Sequence, residues 1–183
     1  MTLGVFAFIA ATATGAALGT QSTGRVDASD KAAIEQIVHD YILEHPEIIP
    51  QAVEKLQAKR MTGTIDASRQ TIETPYAGAW EGAAKGDVTV VEFFDYACGY
   101  CRASLPDLAK LVGEDKGVKV VYRELPILSD ADSRYNAEIQ SNIGLAQKLQ
   151  ASGTPTFVIG KQVLNGAVGY DALKAAVAAA RGK

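Results

Sequence analysis

The chain has 183 residues, 48% of them hydrophobic and 21% charged, with a formal net charge of −3. That balance belongs to a folded domain with a real core and room for a smaller appendage. It includes no basic block able to neutralise a phosphate backbone, which argues against nucleic acid as a partner.

Residues 1–24 carry no charge and are rich in Ala, Gly and Thr. They are expected to be a signal peptide or an anchor, and so to imply export into an oxidising compartment. Residues 25–60 place Ile34, Ile37, Val38, Tyr41 and Ile42 on one helical face, with Ser29 or Asp30 to cap the start. His45-Pro46 interrupts the pattern, and a second short helix through Val53 and Leu56 is expected after it. Two readings of the stripe stand: packing on the main domain, or on copies of the chain as an oligomerisation segment over residues 30–60. Residues 61–71, rich in Thr, Gly, Ala and Ser, read as a linker into a short edge element around Tyr76.

The main domain, residues 72–183, follows. "VTVVEFF" reads as a buried strand, "CGYCRASLPDLAKLVG" as a helix and "VKVVYRELP" as a second strand joined to the first by that crossover. "SRYNAEIQSNIGLAQKLQASG" reads as a helix, "TPTFVIG" with "KQVLNG" as a hairpin, and "YDALKAAVAAARGK" as a closing helix. The predicted class is α/β, a mixed sheet with flanking helices.

The chain has only two cysteines, Cys98 and Cys101. As a structural disulfide they would close too short a loop to constrain the unfolded chain much. As a zinc site they lack partners, since His39 and His45 lie far upstream and are more simply surface residues. No metal is expected. A redox role fits their position. At a strand-to-helix junction, free N–H groups and the helix dipole stabilise a Cys98 thiolate, while Cys101, one turn further and more buried, can attack a mixed disulfide on Cys98.

Glu92 is a carboxylate inside an apolar strand. If buried, its pKa is raised and it suits proton exchange with Cys101; the alternative is that it points to solvent from an edge strand. Thr154-Pro155 opens a strand after glycine, as a cis bond or a plain turn.

Together, "VVEFFDYACGYCRASLPDL", "VVYRELPIL" and "GTPTFVIG" resemble the thioredoxin superfamily in its DsbA-like branch, including the ScsC type, whose stalk helices "IEQIVHDYILEHPEII" also resembles. The resemblance implies a thioredoxin-like mixed sheet with an N-terminal helical stalk. It implies a periplasmic thiol–disulfide oxidoreductase, oxidase or isomerase, acting on cysteine-containing exported proteins, with a membrane redox partner as a further expectation. In this family Cys98 attacks, Cys101 resolves, Glu92 is the buried acid, Pro155 is the cis-proline, and the Thr154 backbone pairs with substrate. Gly99 and Tyr100 replace the Pro-His of the strong oxidant, which implies a weaker one. The family's helical insert is shortened here to the interval Leu128–Thr154. The alternative is a non-catalytic peptide-binding or assembly module. No Gly-rich phosphate loop, Ser/His/Asp set or metal-ligand cluster is present, so no cofactor is expected.

Overall fold

A computed structural model describes residues 27–182, in two units that divide between Ile49 and Pro50. The expected signal peptide or anchor lies outside these residues. In the first unit, α1 runs Ala28–Glu44. Its cap is Asp27 rather than Ser29 or Asp30: Asp27 Oδ1 accepts from the Asp30 N–H at 2.9 Å, and Asp30 Oδ2 accepts from the Asp27 N–H at 3.3 Å. This reciprocal box needs acceptors three residues apart, which Asp27 and Asp30 supply. The helix stops before His45-Pro46, as the proline dictates. Ile34, Ile37, Val38 and Tyr41 are all exposed.

The next helix, α2, runs Ile48–Glu73, so the expected linker over 61–71 is helical instead. The reason is packing. Ile65 and Ile72, seven residues apart and thus on one helix face, are buried in the core, with Met61 against the same cluster. That burial outweighs the roughly 1 kcal/mol cost of Gly63 in a helix interior.

Five strands form one sheet: β1 (Trp80–Gly82), β2 (Val88–Phe94), β3 (Val118–Glu124), β4 (Thr156–Ile159) and β5 (Gln162–Asn165). Their order is β1-β3-β2-β4-β5. Only β2 and β3 are parallel, joined by the crossover helix α3 (Gly99–Glu114); the other pairings are antiparallel. The edge element is β1, a few residues later than expected. It begins beyond Pro75 and the positive-φ residues Ala77 and Gly78. A short 3₁₀ turn (Ser133–Tyr135) leads into α4 (Asn136–Lys148), and α5 (Tyr170–Ala180) closes the chain.

Alternation along the strands sorts the core into two layers. Val88, Val90, Val118 and Val120 pack under α3 and α5 with Leu108, Leu111 and Leu173. Val91, Phe93 and Val121 face the other way, against Ile65, Ile72, Leu145 and Leu149 of the α2 and α4 side. The same period places Glu92 on the α3 face and Arg123 on the opposite one.

Arg123, 4% exposed, has every arm engaged. Its Nε donates to Ile72 O at 2.8 Å and its Nη2 to Thr74 O at 2.9 Å and to Thr71 O. Its Nη1 donates to Asn142 Oδ1 at 2.6 Å and Glu138 Oε1 at 2.9 Å. One guanidinium thus satisfies the orphan carbonyls that end α2 and ties that end to α4. Replacing Arg123 by Met leaves Glu138 and these carbonyls without their donor, and is expected to cost about 3–5 kcal/mol in urea unfolding followed by circular dichroism. A loss below about 1 kcal/mol would show that water substitutes for the guanidinium.

Candidate active site

The site is built where β2 ends and α3 begins. Asp95, buried to 1% exposure, is the anchor of that turn. Its carboxylate accepts from the N–H of Ala97 at 2.8 Å, Ile127 at 2.7 Å and Leu128 at 2.6 Å, and from Ser129 Oγ at 2.8 Å. Burial pushes its pKa up, but the four hydrogen bonds outweigh it and hold the carboxyl below its ordinary value. The Asp95 carbonyl in turn accepts from the Cys98 N–H at 3.0 Å. Sequence reasoning missed Asp95, whose one signal was an acid directly after a buried strand and two residues before Ala97, the spacing of an Asx turn.

Cys98 is the N-cap of α3, with extended backbone, and its Sγ accepts from the Cys101 N–H at 3.3 Å. On its other side Cys98 Sγ donates to Thr154 O at 3.2 Å. The Thr154–Pro155 peptide is cis. Thr154 Oγ1 is buried and makes no hydrogen bond. Burial pushes the Cys98 thiol up, yet the Thr154 side chain, the Cys101 thiol and the N–H groups of Cys101 and Tyr100 outweigh it, and its pKa is lowered. Both thiols are free.

Cys101 differs. Burial above all pushes its pKa up to about 11; the charge of Cys98 adds to the rise and the Asp95 N–H offsets part of it. Both thiols are buried, Cys98 3% and Cys101 5% exposed, and burial weighs more heavily on Cys101, as expected from its place inside the helix.

Glu92 does not point to solvent. It is 1% exposed and neither carboxyl oxygen has a hydrogen-bond partner. Burial, then the charges of Cys98 and Glu81, push its pKa up to about 8. A cavity of about 240 Å³ is lined by Glu92, Cys98, Cys101 and Tyr122 among others. Tyr122 sits opposite Glu92 in the parallel register and donates to Glu81 Oε1 at 2.6 Å. Gly99 and Tyr100 lie outside this cluster: Tyr100 is 72% exposed, and a Cβ on Gly99 would meet nothing. His39 and His45, in the first unit, are bonded to Asp40 and Glu47.

Comparison with known proteins places this geometry. The model of the DSBA-like thioredoxin domain matches residues 89–134 and 130–178. The two pieces meet between β3 and α4, where the sequence leaves room for one helix. The model of the copper resistance protein ScsC N-terminal domain matches residues 30–61. No curated protein matches the chain. Among solved structures, a thioredoxin-like oxidoreductase from Silicibacter pomeroyi is 29% identical over 57% of this chain and 92% of its own, with a TM-score of 0.53. A linker-deletion mutant of Proteus mirabilis ScsC is 22% identical, covering 88% of this chain and 99% of its own, with a TM-score of 0.61. A periplasmic thioredoxin-like protein from Salmonella enterica serovar Typhimurium is 22% identical over 57% and 90%, with a TM-score of 0.52. The chain's single mixed sheet between two core layers, its cysteines at the start of α3 and these matches agree: the chain belongs to the thioredoxin superfamily, in the DsbA-like branch, with an ScsC-type N-terminal domain.

Proposed function

We propose that the chain is a thiol–disulfide oxidoreductase that oxidises or isomerises cysteines of exported proteins. The observation that carries this is the asymmetry of the pair. Cys98 caps a helix with its pKa lowered, while Cys101, three residues on, has its pKa raised beside a buried carboxyl.

In the oxidising direction a substrate thiolate attacks Cys98 Sγ of the Cys98–Cys101 disulfide. The S–S bond breaks, Cys101 leaves as thiolate and takes a proton from Glu92, which is neutral below a pKa of about 8. A second substrate thiolate then attacks the substrate sulfur of the mixed disulfide and Cys98 leaves as thiolate. Two electrons have passed to the pair and the substrate holds the new disulfide. In isomerisation the Cys98 thiolate attacks a substrate disulfide and releases one substrate thiolate; another substrate thiolate then attacks the substrate sulfur of the mixed disulfide, a new substrate disulfide forms and Cys98 leaves as thiolate, with no net transfer of electrons. If Cys101 instead attacks Cys98 Sγ, its proton taken by the Glu92 carboxylate, the substrate leaves reduced and the pair is left oxidised. The Thr154 carbonyl, now against Cys98 Sγ, is the group a substrate backbone meets beside Pro155.

Gly99 and Tyr100 provide no imidazolium, so Cys98 is a less acidic thiol, and the pair a weaker oxidant, than in the Pro-His member. Periplasmic action is supported by the description of the Salmonella relative. No helix among the described residues is long and apolar enough to cross a membrane. Assembly of copies through residues 30–60 is supported by the exposed apolar residues of α1 and the ScsC N-terminal match.

Cys98→Ser is expected to lower exchange with a scrambled disulfide protein by about 10³-fold or more, and Cys101→Ser to accumulate mixed disulfides visible on non-reducing gels. Equal activity of Cys98→Ser and the parent chain would overturn the reading. Thiolate absorbance is expected to rise first at a pH below the ordinary cysteine value, a step lost in Cys98→Ser, with Cys101 ionising only near pH 11.

Glu92 also sets a pH dependence of stability. Because its folded pKa of about 8 exceeds the ordinary 4.5, the native state holds the extra proton between those values. Its contribution to stability is therefore lost as pH rises from 4.5 to 8 and levels off above. Glu92→Gln removes this slope, and urea unfolding of the reduced protein is expected to show it more stable than the parent at pH 8.5 by on the order of 4 kcal/mol, with little difference at pH 4. Parallel curves for the two proteins would rule out a buried, protonated Glu92.

A further inference from the structure

Beside the cysteines lies a second hollow that the exchange chemistry does not use. It is a groove of about 300 Å³ at the end of the sheet, between the loop ahead of β1, the ends of β2 and β3, and the start of α4. Its walls are aromatic: Tyr76, Phe94, Tyr96, Tyr122 and Tyr135. Tyr76 and Tyr135 meet edge to face at 6.2 Å, and Phe94 meets Tyr96 at 4.9 Å and Tyr122 at 6.0 Å, each edge to face. Phe94, Tyr96 and Tyr122 also line the cavity beneath Cys98 and Cys101, so the groove adjoins the reactive sulfur.

Glu124 lies in this groove. It is half-buried, and its carboxylate has no hydrogen-bond or cationic partner among the described residues. The other charges nearby are disposed unequally. Glu138 is paired with Arg123 and Asp132 with Arg134, which leaves both pairs neutral. Glu81 and Asp95, in contrast, are held by hydroxyl and N–H donors rather than by cations. Burial above all, then the charges of Asp95 and Asp132, push the Glu124 pKa up. On the α3 side the cavity under the cysteines is instead bordered by Arg102.

A half-buried carboxylate among tyrosine faces suits one class of occupant, a basic side chain whose stem lies on the rings and whose head meets the acid. The planar guanidinium of arginine fits both demands better than an ammonium. We infer that this tyrosine-walled groove receives an arginine or lysine side chain of the substrate polypeptide, placed within about three residues of the cysteine under attack, and that Glu124 is the residue that selects it. The inference rests on the oxidoreductase reading for its location beside the substrate cysteine, and it names a preference that the cysteine pair alone does not create.

The test uses the full chain and seven-residue peptides with a central cysteine and arginine, norleucine or glutamate two positions away on either side. Exchange rates with the oxidised protein are normalised to each peptide's thiolate fraction. Affinities are measured by fluorescence anisotropy on the same peptides with serine in place of cysteine. The better arginine peptide is expected to exchange and bind about fivefold to tenfold better than its norleucine counterpart, with the glutamate peptide below both. Glu124→Gln is expected to bring arginine and norleucine peptides within about twofold, and Tyr135→Leu to lower the arginine preference about threefold. Equal serine-peptide affinities for arginine and norleucine, or a preference that survives Glu124→Gln, would overturn the inference. If no cysteine peptide exchanges at all, the oxidoreductase reading falls, while the serine-peptide affinities still decide whether the groove takes a basic side chain.

Discussion

One guanidinium holds the thioredoxin domain's α2 face in register. Arg123 sits on a central strand where alternation turns it away from the cysteines, and the ending carbonyls of α2 and the side chains of α4 converge on it. A buried cation needs its bonds made in full, and they can be made only with α2 ending at Glu73 and α4 starting near Asn136. By fixing those two helices it fixes the layer against which β2 and β3 lie, and therefore the end of β2, from which the site is built.

From that end the chain uses two carboxyls of nearly identical chemistry for opposite purposes. Asp95 has four donors and is held as an anion; Glu92, three residues earlier, has none and is held as an acid. Both are almost without solvent contact, but Glu92 lies deeper and has no donor, so burial and the neighbouring negative charges prevail there, whereas the donors prevail at Asp95. The first shapes the turn that presents Cys98, and the second, with its pKa raised to about 8, faces the cavity that both cysteines line. Pairs of titratable groups driven apart in this way mark the division between scaffold and chemistry.

Much of this was legible in the chain itself. The run "VTVVEFF" announced a buried strand and made Glu92 conspicuous, and the cysteines following it fell at a helix start because strand and helix periods meet there. The long α2 was hidden, because Thr62, Gly63 and Thr64 weaken the local helical signal while the decisive contacts of Ile65 and Ile72 are made with strands and helices distant in sequence. Asp95 was hidden for a similar reason: two of its partners are the N–H groups of Ile127 and Leu128, 32 and 33 residues further on, and backbone donors leave no trace in side-chain identity. The groove around Glu124 depends on four separate stretches of chain and could not be assembled before the sheet was.

The placement of Gly99 and Tyr100 has a consequence for how such a protein can change over evolutionary time. Neither residue is wedged into the core: Tyr100 faces outward and Gly99 leaves open space around its Cα. Sequence drift at these two positions can therefore change what surrounds the neighbouring sulfur while leaving the folding of the domain almost untouched, so that one scaffold accepts many different pairs of residues between its cysteines.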